Sequence, residues 1–203
     1  MKMPNWMHKV FGRGTITCLN STWFVSQYRV KLVRGGELPF AQCRIENANK
    51  AHSLVRKFIE THGQSDRKQF VVLMLNEERE VIGLNMAASG STSTIAVGSR
   101  EILKPAILTN ASAIILCHTQ PHGDVQPSQE DLASNERIVW SACFFSVLVI
   151  DHLIISTATA DESYFSFTEH GIIQKIYQSM NKPNSAARGN EEPVITPNSA
   201  TIH

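Results

Sequence analysis

The chain contains no long apolar run, no cysteine pair at metal-knuckle spacing and no excess of charge of either sign. Each absence removes a class of function. The longest apolar-rich stretch, Ala142 to Ile155, is interrupted by Ser146, Asp151 and His152. It falls short of the ~20 apolar residues a membrane-crossing helix needs and reads as buried strand. The N-terminus has no apolar core of the kind a secretory leader carries. Four cysteines, Cys18, Cys43, Cys117 and Cys143, are scattered without any CxxC. That pattern reads as free thiols in a reducing compartment, so the cytoplasm is the expected location. Nineteen basic residues against eighteen acidic ones leave a formal net charge of +1, without the basic stripe of a dedicated nucleic-acid binder. Lys2, His8, Lys9 and Arg13 make the N-terminus mildly basic, as a solvated tail would be. There is no internal repeat.

What is present suits one compact domain with tails: 203 residues, 42% of them hydrophobic, enough for a real core. Residues 1–26 lack a period and read as a loosely held extension, 27–178 as the domain, and 179–203, rich in Asn, Pro and Ser, as a disordered tail. Alternation predicts a strand over Tyr28–Val33. Apolar residues at 3- and 4-residue steps predict a helix from Asn47 to His62, capped by Gly63. Phe70–Leu75 and Val81–Ala88 predict a hairpin turning at Asn76–Arg79, followed by a Ser/Thr-rich passage, Ser89–Ser93. Arg100–Thr109 predicts a helix that Pro105 kinks or shortens. Ala113–Cys117 is all apolar, as in a central strand covered on both faces. A helix over Ser128–Ala142, strands over Val147–Ile155 and Tyr164–Phe167, and a helix over Glu169–Gln178 complete an α/β domain with a single mixed sheet flanked by helices.

Directly after the central strand comes His118-Thr119-Gln120-Pro121-His122-Gly123-Asp124, then Pro127-Ser128-Gln129-Glu130-Asp131. A hydrolytic zinc site uses three protein ligands and keeps one position open for water. Two imidazoles at i and i+2 leaving a strand point to one side, and a carboxylate at the start of the next helix closes the set. His118 suits the first position and Asp131 the third. Gln120 occupies the second, and its neutral amide oxygen is a poorer zinc donor than imidazole. Structural roles compete for the same residues. Ser128 with an acid three residues on forms a capping box, and His118 at a strand end also suits a hydrogen-bonded, half-buried histidine. His122 reads as an exposed loop residue, or as a ligand recruited in place of Gln120.

In combination, these pieces resemble the RadC-like branch of the JAMM/MPN (JAB) metalloprotease-fold domains, from about Tyr28 to about Gly171. They include Phe70–Leu75 with Val81-Ile82-Gly83, Ser89-Gly90-Ser91, Arg100-Glu101, Lys104-Pro105-Ala106, Ala113–Leu116, the motif loop, Asp151-His152 and Tyr164–Phe167. The resemblance implies a cytidine-deaminase-like MPN/JAB fold. The family pattern His-Asn-His-Pro-Ser-Gly-Asp, then Pro-Ser-x-x-Asp, falls on His118 to Asp131 without gaps. It implies zinc ligation by His118 and Asp131 and oxyanion stabilisation by Ser128.

Three departures weaken the implied chemistry. Gln120 replaces the second imidazole. Lys68 stands two residues before Phe70, where the family places a general-base glutamate, and a lysine with a pKa of ~10.4 cannot accept water's proton at neutral pH. Gly98-Ser99 replaces a family His-Pro. Two positions for Lys68 remain open: an ammonium paired with Asp131 and His118 in the metal's place, or a solvated strand end. The resemblance therefore implies a degenerate site with zinc weakly held or absent, in a binding or accessory module for a protein or peptide. The alternative is a working zinc hydrolase that recruits His122. Nucleic acid and repair enter by family association only, no membrane contact is expected, and open sheet edges permit a homodimer.

Overall fold

The computed structural model describes residues 16–19, 22–25, 33, 35–39, 44–90, 97–158 and 163–181. The chain divides into two compact units, Met1–Glu37 and Leu38–His203. In the first, β1 (Ile16–Leu19) and β2 (Thr22–Val25) pair antiparallel, in a stretch where the sequence shows no period. The strand expected over Tyr28–Val33 lies outside the described residues except for Val33, which is exposed and outside any strand. The expected tail lies outside them from residue 182 onward.

The second unit runs α1 (Ala48–His62), β3 (Lys68–Leu75), β4 (Val81–Gly90), α2 (Ser99–Leu108), β5 (Ala113–Gln120), α3 (Gln129–Cys143), β6 (Leu148–Ser156), β7 (Tyr164–Ser166) and α4 (Ile172–Met180). Five strands form one mixed sheet in the order β4-β3-β5-β6-β7, with β5 and β6 parallel and the other neighbours antiparallel. β3 and β5 sit in the middle. Both are buried almost throughout, which explains why their apolar runs are continuous rather than alternating.

Alternation along these strands feeds two separate cores. Val71, Leu73, Leu75, Ile115, Cys117, Leu153 and Ile155 pack with α1 through Leu54, Val55 and Ile59. Phe70, Val72, Met74, Ile114, Leu116 and Ile154 pack on the opposite face with α2, α3 and α4 through Ile102, Leu103, Ile138, Val139, Ile173 and Ile176. A sheet covered on both faces by helices is thus written into the period-2 pattern of its two central strands.

Helix ends follow local chemistry. The Asn47 side chain accepts from the Lys50 N–H, and the Gly63 N–H reaches the Ile59 carbonyl. Ser128 caps α3 with a complete capping box. At the end of α2, Asn110 takes the left-handed conformation (φ 53°) and Ala111 N–H bonds back to the Ala106 carbonyl, a cap in which asparagine is a favoured alternative to glycine. Pro105 lies inside α2 without ending it.

One boundary differs in a way that bears on the site. β5 does not stop at Cys117 but continues through Gln120. His118, Thr119 and Gln120 pair with Ile154, Ile155 and Ser156 of β6, and His118 also opposes Phe70 of β3. The motif loop therefore begins at Pro121, and the first two motif positions lie on a central strand rather than on a loop.

Candidate functional site

The end of β5, the start of β3 and the first turns of α3 build the site. On β5, His118 points to the α2–α4 side of the sheet and Cys117 to the α1 side, as alternation requires. The parallel register with β6 sets Leu116 against His152, so His152 lies on the same face as His118. α3 supplies Asp131 and, one helical turn later, Asn135. Residues four apart share a helix face, and these two meet the two imidazoles.

His118 Nδ1 and His152 Nε2 lie 3.0 Å apart, and His152 Nδ1 lies 3.1 Å from Asn135 Oδ1. His118 Nε2 faces Asp131 Oδ1 at 3.7 Å. The second carboxylate oxygen of Asp131 is engaged by its own helix start. Ser128 Oγ donates to Asp131 Oδ2 at 2.6 Å, Ser128 N–H donates to the same oxygen at 2.9 Å, and Asp131 N–H donates to Ser128 Oγ at 3.1 Å. The capping and site readings of Asp131 are therefore compatible, one oxygen for each. The Ser128 hydroxyl hydrogen is directed at Asp131. The His152 ring stacks on Phe167 with centroids 4.6 Å apart and meets Phe70 at 5.7 Å, so aromatic contacts as well as hydrogen bonds fix its plane.

Both imidazoles are neutral at neutral pH. Burial pushes the His118 pKa down to about 4, with the Asp131 carboxylate opposing and the Lys68 ammonium adding to the drop. Burial, then the neighbouring His118, holds His152 well below the ordinary histidine range. With His118 neutral, the 3.7 Å approach to Asp131 is not an ion pair.

Lys68 opens β3. The antiparallel register that sets Phe70 against His118 leads two residues back toward Gln120, on the same face. The Lys68 charge reaches His118, but among the described residues it forms no ion pair with Asp131 within 4.0 Å. Among the described residues the direct Lys68–Asp131 pair considered from the sequence is thus not made, and Asp131 Oδ1 is approached by His118 Nε2. The anchor next to Lys68 is polar: Gln69 N–H donates to Thr119 Oγ1, which donates to the Arg67 carbonyl.

Gln120 Oε1 is buried and, among the described residues, has no hydrogen-bond partner. Its backbone carbonyl accepts from Gly123 and from Thr157, closing the turn after β5. Gly123 sits at φ 83°, where a side chain would be strained. His122 is exposed on that turn. Glu77, Glu78 and Glu80 lie at the hairpin turn at the opposite end of β3. Ligands at ~2.0–2.1 Å on a tetrahedral zinc ion stand roughly 3.4 Å apart, and His118 Nε2 and Asp131 Oδ1 come near that spacing. Among the described residues no three His, Cys, Asp or Glu side chains converge on one point as a metal would require.

His152 and Asn135 belong to the site and had no role assigned from the sequence. His152 stood in the motif Asp151-His152, and Asn135 follows Asp131 by four residues on one helix face; that spacing was the available signal. Asp151, beside His152, serves the fold. Its carboxylate accepts from the Ser166 hydroxyl and from the Thr168 and His152 N–H groups, and burial raises its pKa against those bonds.

Residues 45–172 match the RadC-like JAB domain. A UPF0758 protein of Rubrobacter xylanophilus is 38% identical over 108 residues, 53% of this chain and 45% of that protein. The UPF0758 protein YfjY of Escherichia coli K12 is 36% identical over 108 residues, 53% of this chain and 65% of that protein. The matched region thus spans about half to two thirds of the length of these relatives. Among the described residues no helix is long and apolar enough to cross a membrane.

Proposed function

The chain belongs to the RadC-like JAB domain family, and from that premise we propose that it is a catalytically impaired member, acting as a binding or accessory module for a protein or peptide. One observation carries the reading. At ligand spacing the pocket offers one imidazole and one carboxylate, with the field of a lysine ammonium on the imidazole. A hydrolytic zinc ion needs a third strong donor and a neighbouring base. The buried amide oxygen of Gln120 is neutral, and a protonated Lys68 both repels a dication and cannot take a proton. The donor set therefore does not fit a catalytic zinc centre, and no hydrolytic step is assigned to it.

The competing reading is an active zinc hydrolase with His118, Asp131 and a recruited His122. It would require His122 to leave its exposed turn position and a base other than the hairpin glutamates. Thermal unfolding of the full chain, with and without a strong chelator, separates the two. An unchanged midpoint supports the impaired module. A midpoint lowered by several degrees on chelation would show a resident metal that stabilises the fold by mass action, and would overturn the reading.

A further inference from the structure

We infer that Asn135 and His152 are positioning residues for His118: Asn135 sets the tautomer of His152, His152 sets that of His118, and the Nε2 lone pair of His118 is thereby aimed at Asp131. This goes beyond the reading above and stands whether or not the pocket turns over a substrate.

The placement of the Asn135 oxygen against His152 gives the chain its inferred direction. The amide oxygen of Asn135 is an acceptor only. At 3.1 Å from His152 Nδ1 it calls for a hydrogen on that nitrogen. His152 Nε2 is then bare and accepts from the nitrogen 3.0 Å away, His118 Nδ1, which carries its hydrogen. His118 Nε2 is left with a lone pair opposite Asp131 Oδ1. Two acceptors face each other across 3.7 Å, so what fits between them is a cation or a group able to donate two hydrogens. A reversed chain, with Asn135 donating, would put a hydrogen on Nε2 and close His118 to any electrophile.

Two features argue that the relay is more than packing. Asn135 is fully buried, and among the described residues its Nδ2 has no partner. A buried unpaired donor is unfavourable, and a leucine of similar shape would fill the same place on α3 without that burden. The amide is used at one end only, and that end touches His152. In turn, His152 is 1% exposed, with its ring stacked on Phe167 and tilted against Phe70, and this packing opposes a change of partner by rotation. Orientation of the chemically competent nitrogen by a hydrogen bond to the other ring nitrogen is a general device for histidine. Here the orienting group is itself a histidine, oriented by an amide.

The test is long-range proton–nitrogen correlation NMR on the uniformly 15N-labelled full chain, in chelator at neutral pH, where every histidine tautomer is read directly. Signals are assigned by their loss in His118→Gln and His152→Gln. Both rings are expected in the Nδ1–H form. Asn135→Leu, which removes the acceptor, should replace the single His152 tautomer by a mixture, and Asn135→Asp, which restores an acceptor, should recover the Nδ1–H form. A hydrogen on Nε2 of either ring in the unmodified protein would overturn the inference, as would unchanged tautomers in Asn135→Leu. The unmodified protein decides the matter even if a variant does not fold. Because the measurement is made metal-free, its failure differs from that of the impaired-module reading, which turns on retained metal.

Discussion

Acidification should destabilise this domain through His118, and replacing that residue should remove a definable share of the effect. The imidazole is buried and its pKa is about 4, against an ordinary value of 6.5. Its folded pKa lies below its unfolded one, so the unfolded chain takes up a proton that the folded chain refuses. Its contribution is complete above pH 6.5 and is lost as pH falls from there toward 4. At pH 5 the loss is about 2 kcal/mol, and it approaches about 3 kcal/mol near pH 4. His152, also depressed, adds loss in the same direction. Asp151, whose pKa is raised, acts in the opposite direction at low pH but is common to both proteins compared. The assay is urea unfolding of the unmodified protein and of His118→Gln at pH 7.5 and pH 5. The fall in stability between the two pH values should be smaller in the variant by about 2 kcal/mol. Equal falls in the two proteins would show that His118 is not held neutral by burial.

Three further outcomes follow from the same geometry. Ser128→Ala removes the acceptor for the Asp131 N–H and one donor to Asp131 Oδ2, and should cost about 1 kcal/mol, lowering the melting temperature by roughly 2–5 °C; no shift by calorimetry would mean the box contributes nothing. Asp151→Ala strands the Ser166 hydroxyl and the Thr168 and His152 N–H groups, and should cost about 3 kcal/mol or more in denaturant unfolding; a loss within 1 kcal/mol would show that water replaces the carboxylate without penalty. The double substitution Lys68→Glu with Gln120→His returns a base and an imidazole to the pocket, and isothermal titration should show zinc affinity raised ~10-fold or more, at least ~1.4 kcal/mol; unchanged affinity would mean these two positions do not face the ion.

Much of the fold was legible because local chemistry and tertiary packing agree. Asn47, Gly63 and Ser128 marked helix ends that the structure confirms to within a residue. The unbroken apolar runs of β3 and β5 marked the sheet centre. Where the sequence misled, a partner distant in the chain decided the outcome. His118, Thr119 and Gln120 look like loop because they are polar, yet β6 supplies their ladder partners. Of the site, His118 and Asp131 were readable from motif spacing and do meet. The His118–His152–Asn135 chain was not, because its members lie 34 and 17 residues apart and only the β5–β6 register and one face of α3 bring them together.

The pocket we propose keeps the frame of a zinc site without the groups to hold the ion or activate its water. Elemental analysis of the full chain, purified without added metal and dialysed against a mild chelator, tests it most directly. Zinc far below one atom per chain is the expected result. Close to one tightly retained atom per chain would contradict it.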